Sequence, residues 1–116
     1  MLDCRGLTRT TRSLAGCTLL AVLVLATFSP ALTCDFVLFD DNLFVTENPV
    51  ISQGLTWEAV KGAFAGHPPS QYHPLTWLSH ALDVTLFGLH PMGHHAVSVL
   101  LHAANVCLLF LLLRRA

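Results

Sequence analysis

Two apolar blocks without charged residues, 14–33 and 94–113, restrict most strongly what this chain can fold into. Each is about 20 residues long, which is the length that a helix needs to cross the roughly 30 Å hydrocarbon core of a bilayer. The composition agrees, because 53% of the residues are hydrophobic and only 11% are charged, whereas a soluble domain carries about a quarter charged residues. The sequence therefore predicts an all-α membrane protein in which two transmembrane helices flank a central loop.

The basic residues predict how these helices are oriented. Five arginines and Asp3 flank the two blocks on their outer sides and give a net charge of +4. The loop of residues 34–93 has six carboxylates against Lys61, a net charge of −5. Because Lys and Arg favour the cytoplasmic side, we expect a cytoplasmic tail at 1–13, a cytoplasmic end at 114–116 and an acidic loop outside. This distribution gives no indication of nucleic-acid binding.

Residues 1–34 also fit a second interpretation. A basic start, an apolar middle and small residues near the end are typical of a signal peptide, and Cys34 would suit a lipid anchor. However, Ala31-Leu32-Thr33 is a poor lipobox, and the apolar run is long for a signal peptide. We therefore favour an uncleaved helix.

The central loop contains two short helical patterns. Thr56 can cap a helix that continues to about Ala65, and Pro74 suits the first position of a helix that ends near Gly88. The second pattern carries leucines at helical spacing, at positions 75, 78, 82 and 86. An apolar stripe of this kind, beside a membrane span and near two tryptophans, favours short interfacial helices that lie along the bilayer surface. The alternative is an ordinary soluble helix that packs on another domain.

The last helix is predicted to begin at Pro91, and it carries a polar stripe. Four polar residues, spaced four, four and three apart, fall on one face: His94, Ser98, His102 and Asn105. Because polar groups rarely face lipid without partners, this stripe predicts further helices or a wet cavity beside it. We therefore expect the chain to be a fragment of a larger multi-span bundle, truncated after the second span.

Asp40 and Asp41 are the most distinctive candidates for chemistry. Adjacent carboxylates near a membrane surface suit general-base work on a hydroxyl group, or metal binding, although a solvated turn is the alternative. His90 and His94 lie one helical turn apart, a spacing that can hold zinc. However, His90 precedes Pro91, and no HExxH motif or cysteine partner accompanies the pair. The sequence therefore predicts no metal site and no certain cofactor.

A series of short motifs resembles one protein family over about residues 30–113. In chain order the motifs are DDNLFVTENP from Asp40, GLTW from Gly54, HPLTWLSH from His73, LFGL from Leu86 and GHH from Gly93, followed by His102 and Asn105. The series is similar to the amino terminus of bacterial tetratricopeptide-repeat membrane proteins, which are related to the eukaryotic transmembrane and tetratricopeptide-repeat O-mannosyltransferases.

This resemblance implies a GT-C glycosyltransferase fold in the bacterial inner membrane, with residues 34–93 as a periplasmic loop. Such proteins transfer a sugar from a polyprenyl-phosphate carrier to an acceptor hydroxyl, commonly on a protein. The family's acidic pair falls on Asp40 and Asp41, which would be catalytic. Four histidines are expected to contact the donor phosphate or to pack in the bundle: His73, His80, His94 and His102. The implied partners are the lipid-linked sugar, a protein acceptor and membrane lipids.

Two other classes of function stay open. A non-catalytic membrane anchor or scaffold for tetratricopeptide interaction repeats would need the same helices but no acidic chemistry. A secreted or lipid-anchored binding protein would be cleaved near Cys34. Under the glycosyltransferase interpretation as under the scaffold interpretation, we expect the fragment alone to lack enzymatic activity, because the other spans of the bundle are missing.

Overall fold

The structure is a computed structural model that describes the backbone of residues 4–65 and 72–116 and the side chains from Thr10 onward. Residues 1–3 of the predicted tail and 66–71 of the predicted loop lie outside the described part. The described residues form four α-helices, in chain order α1 Cys4–Phe28, α2 Trp57–Ala65, α3 Pro74–Phe87 and α4 Pro91–Leu113. A 3₁₀ turn at Ser29–Thr33 and a π-helical turn at Asn42–Thr46 separate α1 from α2. The described residues contain no strand, so the predicted all-α class is confirmed for them.

Two helical segments, Thr10–Thr33 and Pro91–Leu113, are long and apolar enough to cross a membrane. Their bounds differ somewhat from the predicted blocks. The first helix already begins within the predicted tail, and the second begins three residues before 94 because proline suits a first helical position. Near the other end of α1, Pro30 lacks the N–H that would bond the carbonyl of Ala26. The Ser29 hydroxyl donates to that carbonyl instead, at 2.9 Å, and the α-helix gives way to the 3₁₀ turn.

The chain divides into two units. The helix-pair unit comprises residues 1–30 and 98–116, and the middle unit comprises residues 31–97. In the helix-pair unit, small side chains allow the helices to approach closely. A Cβ atom at Gly16 would lie 2.5 Å from Cζ of Phe110, and the Arg114 guanidinium donates to the Ser13 hydroxyl at 2.8 Å. The leucines on the outside of this pair are exposed.

The middle unit is built around a small core of Ile51, Ala63 and Trp77. On α3 most of the predicted leucine stripe faces away from this core, because Leu75 is 76% exposed and Leu86 is 62% exposed. Leu78 is the exception, since it is partly buried and packs against the core. The opposite face of the helix is the buried one, through Trp77, Ala81 and Asp83. The tertiary structure therefore leaves an apolar surface open on α3, which is the surface that an interfacial helix would present to lipid.

Local signals for the short helices are confirmed. The Thr56 hydroxyl accepts the N–H of Ala59 at 3.1 Å at the start of α2, as an N-cap residue does. Pro74 opens α3, and Gly88 ends it with φ 62°, a conformation that side chains rarely adopt. Gly54, with φ 79°, brings the chain so close to α3 that a Cβ there would lie 2.7 Å from the Thr85 hydroxyl.

Candidate functional site

The two adjacent carboxylates of the acidic motif have different surroundings. The side chain of Asp41 is half-buried at the start of the π-helical turn, and its Oδ2 accepts the backbone N–H of Val37 at 2.8 Å. Asp40 is exposed, and within the described part of the chain it is its backbone carbonyl that accepts a hydrogen bond, from the N–H of Phe44 at 2.8 Å. The structure therefore orients the Asp41 carboxylate and leaves that of Asp40 facing solvent.

A cleft of about 270 Å³ brings three of the predicted site residues together within the middle unit. Asp41 comes from the acidic motif, His73 precedes α3, and His80 lies almost two turns into that helix. The other residues that line the cleft are Phe44, Val45, Thr76 and Trp77. The arrangement combines one carboxylate with two imidazoles on a partly apolar wall, so it can accept a proton, donate hydrogen bonds and hold a ligand away from bulk water.

His80 also belongs to a second group of side chains, together with Asp83 and His94. The Nδ1 atoms of His80 and His94 lie 3.9 and 3.8 Å from the same carboxylate oxygen, Oδ2 of Asp83. The two rings stack with centroids 6.0 Å apart. Asp83 is 4% exposed and His94 is 3% exposed. Nε2 of His94 donates to the carbonyl of Gly88 at 3.1 Å, since a carbonyl oxygen can only accept.

Burial dominates the electrostatics of this group. Desolvation lowers the pKa of His80 below 6.5, against the opposing pull of Asp83 and Asp41. Desolvation also raises the pKa of Asp83 above 3.8, although His94 and His80 act in the other direction. Both shifts disfavour the charged form. The group therefore contains a carboxylate whose negative charge the surrounding side chains compensate only in part.

The remaining predicted residues lie elsewhere. His102 is on the helix-pair unit, where its ring meets Phe28 edge-on at 5.1 Å. Of the predicted polar stripe on α4, Ser98, His102 and Asn105 are exposed, whereas His94 is buried in the middle unit. His90 is exposed and is not part of the group that His94 forms.

Sequence reasoning missed the role of Asp83. The available signal was its position one helical turn after His80, off the leucine stripe of α3. That spacing places His80 and Asp83 on neighbouring positions of one helix. Their proximity to His94 depends on the conformation of the turn that follows α3, which no periodicity in the sequence predicts.

A larger cleft of about 500 Å³ lies beside α2 and contains none of the predicted site residues. Its charged lining residues, Glu58 and Lys61, form an exposed ion pair at 3.8 Å. Exposed ion pairs of this kind contribute little to stability, and they are common on protein surfaces. Because the larger cleft contains no predicted site residue, we consider the cleft of Asp41 and His80 the better candidate for a catalytic site.

Comparisons with known proteins found no relative of this chain. No protein-family model matches the chain, no curated protein matches it, and no solved structure matches it.

Proposed function

We propose that the chain is the amino-terminal part of a membrane-embedded glycosyltransferase of the GT-C type. Both long helices cross the bilayer, and the middle unit lies on the periplasmic side of the bacterial inner membrane. The full-length protein transfers a sugar from a polyprenyl-phosphate carrier to a hydroxyl group of a protein acceptor. Support for insertion comes from the two apolar helices and from the arginines outside them.

The observation that carries the catalytic proposal is the shared cleft of Asp41, His73 and His80. Transfer of a sugar to a hydroxyl group needs a base that takes the hydroxyl proton as the new bond forms. It also needs hydrogen-bond donors for the phosphate that leaves with the lipid. Asp41 supplies the carboxylate, and the two imidazoles supply donors, so the cleft contains both kinds of group.

Within the acidic pair we assign the base to Asp41. Its hydrogen bond from the Val37 N–H fixes the carboxylate in one orientation, and its position in the cleft partly shields it from water. Asp40 is exposed and has no such constraint. We assign to it a part in binding the acceptor, as the exposed carboxylate next to Asp41.

The test is sugar transfer by the full-length protein in membrane vesicles that contain a radiolabelled polyprenyl-phosphate sugar. Asp41→Asn should lower the rate about 10²- to 10⁴-fold, the usual range for loss of a general base. Asp40→Asn should lower it less. Glu47→Gln is the matched control, because Glu47 is an exposed carboxylate in the same segment and lines no part of the cleft.

Unchanged transfer by Asp41→Asn, with normal membrane insertion, would exclude the catalytic assignment. Absence of transfer by the wild-type full-length protein would favour the scaffold for tetratricopeptide interaction repeats.

Orientation has a separate test. Cys34 lies just after the 3₁₀ turn and is exposed, so a thiol reagent that cannot cross membranes should label it in cells with a permeabilised outer membrane. Cys34→Ser is the control for labelling at other cysteines. The mass of the mature amino terminus checks that residues 1–34 are retained, because cleavage near Cys34 would indicate a signal peptide. Cys34 that stays unlabelled would contradict the periplasmic position of the middle unit.

A further inference from the structure

We propose that His80, Asp83 and His94 form a binding site for a divalent transition-metal ion, with Zn²⁺ as the natural occupant. Their ligand atoms all lie within 4.8 Å of one another, and Asp83 and His94 are almost completely buried. The sequence alone predicts no metal site, and this proposal replaces that expectation. It goes beyond the proposed glycosyltransferase function, because Asp83 and His94 take no part in the proposed sugar transfer, although His80 also lines the cleft that contains Asp41.

The hydrogen bond of His94 to the backbone defines which nitrogen is available. Because the Gly88 carbonyl can only accept, Nε2 of His94 carries the proton. Nδ1 of the neutral ring then has a free lone pair, and this atom is buried without a hydrogen-bond partner among the described residues. Histidines that bind metals commonly donate their second nitrogen to a backbone carbonyl or carboxylate in this way.

His80 presents the same arrangement from α3. Its Nδ1 is also buried without a hydrogen-bond partner in the described part of the chain. The two Nδ1 atoms lie 3.9 and 3.8 Å from Oδ2 of Asp83, distances that exceed hydrogen-bond length. Two unpartnered nitrogens around a buried carboxylate are costly. One cation among the three atoms would bond to all of them and neutralise the carboxylate.

The donor set indicates the class of metal. Two imidazole nitrogens and one carboxylate oxygen suit zinc and its neighbours in the first transition row, whereas Ca²⁺ and Mg²⁺ prefer oxygen donors. Zinc bonds of about 2.0–2.2 Å in a tetrahedron place ligands roughly 3.3–3.5 Å apart. The observed separations from Asp83, 3.9 and 3.8 Å, exceed this range by only a few tenths of an ångström. A water molecule completes the fourth position.

A metal here would join α3 to the first turn of α4, because His80 and Asp83 belong to one helix and His94 to the other. The turn between them, residues 88–90, contains the Gly88 carbonyl that orients His94. Binding would therefore hold this turn in place and raise the unfolding temperature of the middle unit.

The experiment uses the full chain purified in detergent, stripped with chelator and titrated with Zn²⁺ in competition with a chelating dye. Wild type should bind one ion per chain. Asp83→Asn and His94→Gln should weaken binding at least about 10- to 100-fold, the range for loss of a mere outer-shell partner. His90→Gln is the matched control, because His90 is exposed and outside the group. Equal affinity in wild type and a folded Asp83→Asn variant would overturn the proposal.

A second measurement keeps the proposal testable if those variants fail to fold. His94→Cys replaces Nδ1, the ring nitrogen nearest the backbone, with a thiolate of similar reach. Titration of this variant with Co²⁺ should produce a sulfur-to-metal charge-transfer band that wild type, with its native cysteines, lacks. Absence of the band in a chain of normal helix content, or absence of any Co²⁺ spectrum with wild type, would exclude the site.

Discussion

Ile51 should be the residue on which the middle unit depends most for its stability. It is the largest side chain in the described part of the chain that is fully buried, with 0% exposure, and it packs in one cluster with Ala63 and Trp77. Ile51→Ala removes three carbons, which corresponds to about 2.4 kcal/mol at roughly 0.8 kcal/mol per buried methylene. Neighbours on two helices cannot collapse fully into the space, so a cavity penalty adds to this value. We expect a total loss of about 3 kcal/mol.

The assay is urea unfolding of the full chain in detergent, followed by tryptophan fluorescence. Trp77 is 3% exposed and reports on the core, whereas Trp57 is 68% exposed. Every protein compared in this assay should therefore carry Trp57→Phe, so that the fluorescence comes from Trp77 alone.

Leu75→Ala is the matched control, since it removes the same number of carbons from a side chain that is 76% exposed. It should change the free energy of unfolding by less than about 0.5 kcal/mol, as surface substitutions do. If Ile51→Ala and Leu75→Ala cost the same, the inward and outward faces assigned to this unit are wrong.

Three further predictions concern single residues of the middle unit. Thr85→Val should destabilise it by about 1 kcal/mol in urea unfolding, because the Thr85 hydroxyl accepts the Leu55 N–H at 2.7 Å; Thr85→Ser, which keeps the hydroxyl, should cost clearly less. Gly88→Ala should cost about 1–3 kcal/mol, because φ 62° and ψ −149° suit glycine alone, although a Cβ there would meet no atom within 4 Å. With chelator present, acidification through pH 6.5 should reduce stability, because the folded state holds the pKa of His80 below 6.5 and the unfolded state then binds more protons. His80→Gln should flatten this pH dependence in thermal unfolding, and an unchanged slope would contradict the assigned cause.

Several elements of the fold are visible in local sequence. The two uncharged apolar blocks predict the long helices, because a run of that length has few other stable arrangements. Thr56, Pro74 and Gly88 mark where short helices begin or end, since each acts through its own backbone or side chain. Such signals involve residues a few positions apart, and the structure confirms all three.

The direction in which helix α3 faces could not be predicted in the same way. Its leucine stripe is the stronger apolar pattern, yet the buried face is the one with Trp77, Ala81 and Asp83. The choice depends on which partner surface, here that of Ile51 and Ala63, is present to cover it. A helical period specifies that two faces differ, and it does not specify which of them meets protein and which meets lipid.

The sequence by itself predicted an all-helical protein with two helices long enough to cross a membrane, which the described residues confirm. It also named Asp40, Asp41 and four histidines as candidate site residues. Only the tertiary structure decided that Asp41, His73 and His80 share a cleft, that Asp41 rather than Asp40 is held in place, and that Asp83 lies between His80 and His94. The physical reason is distance along the chain. Caps and apolar runs are local, whereas a cleft or a ligand set depends on how turns and a small core bring separate segments together.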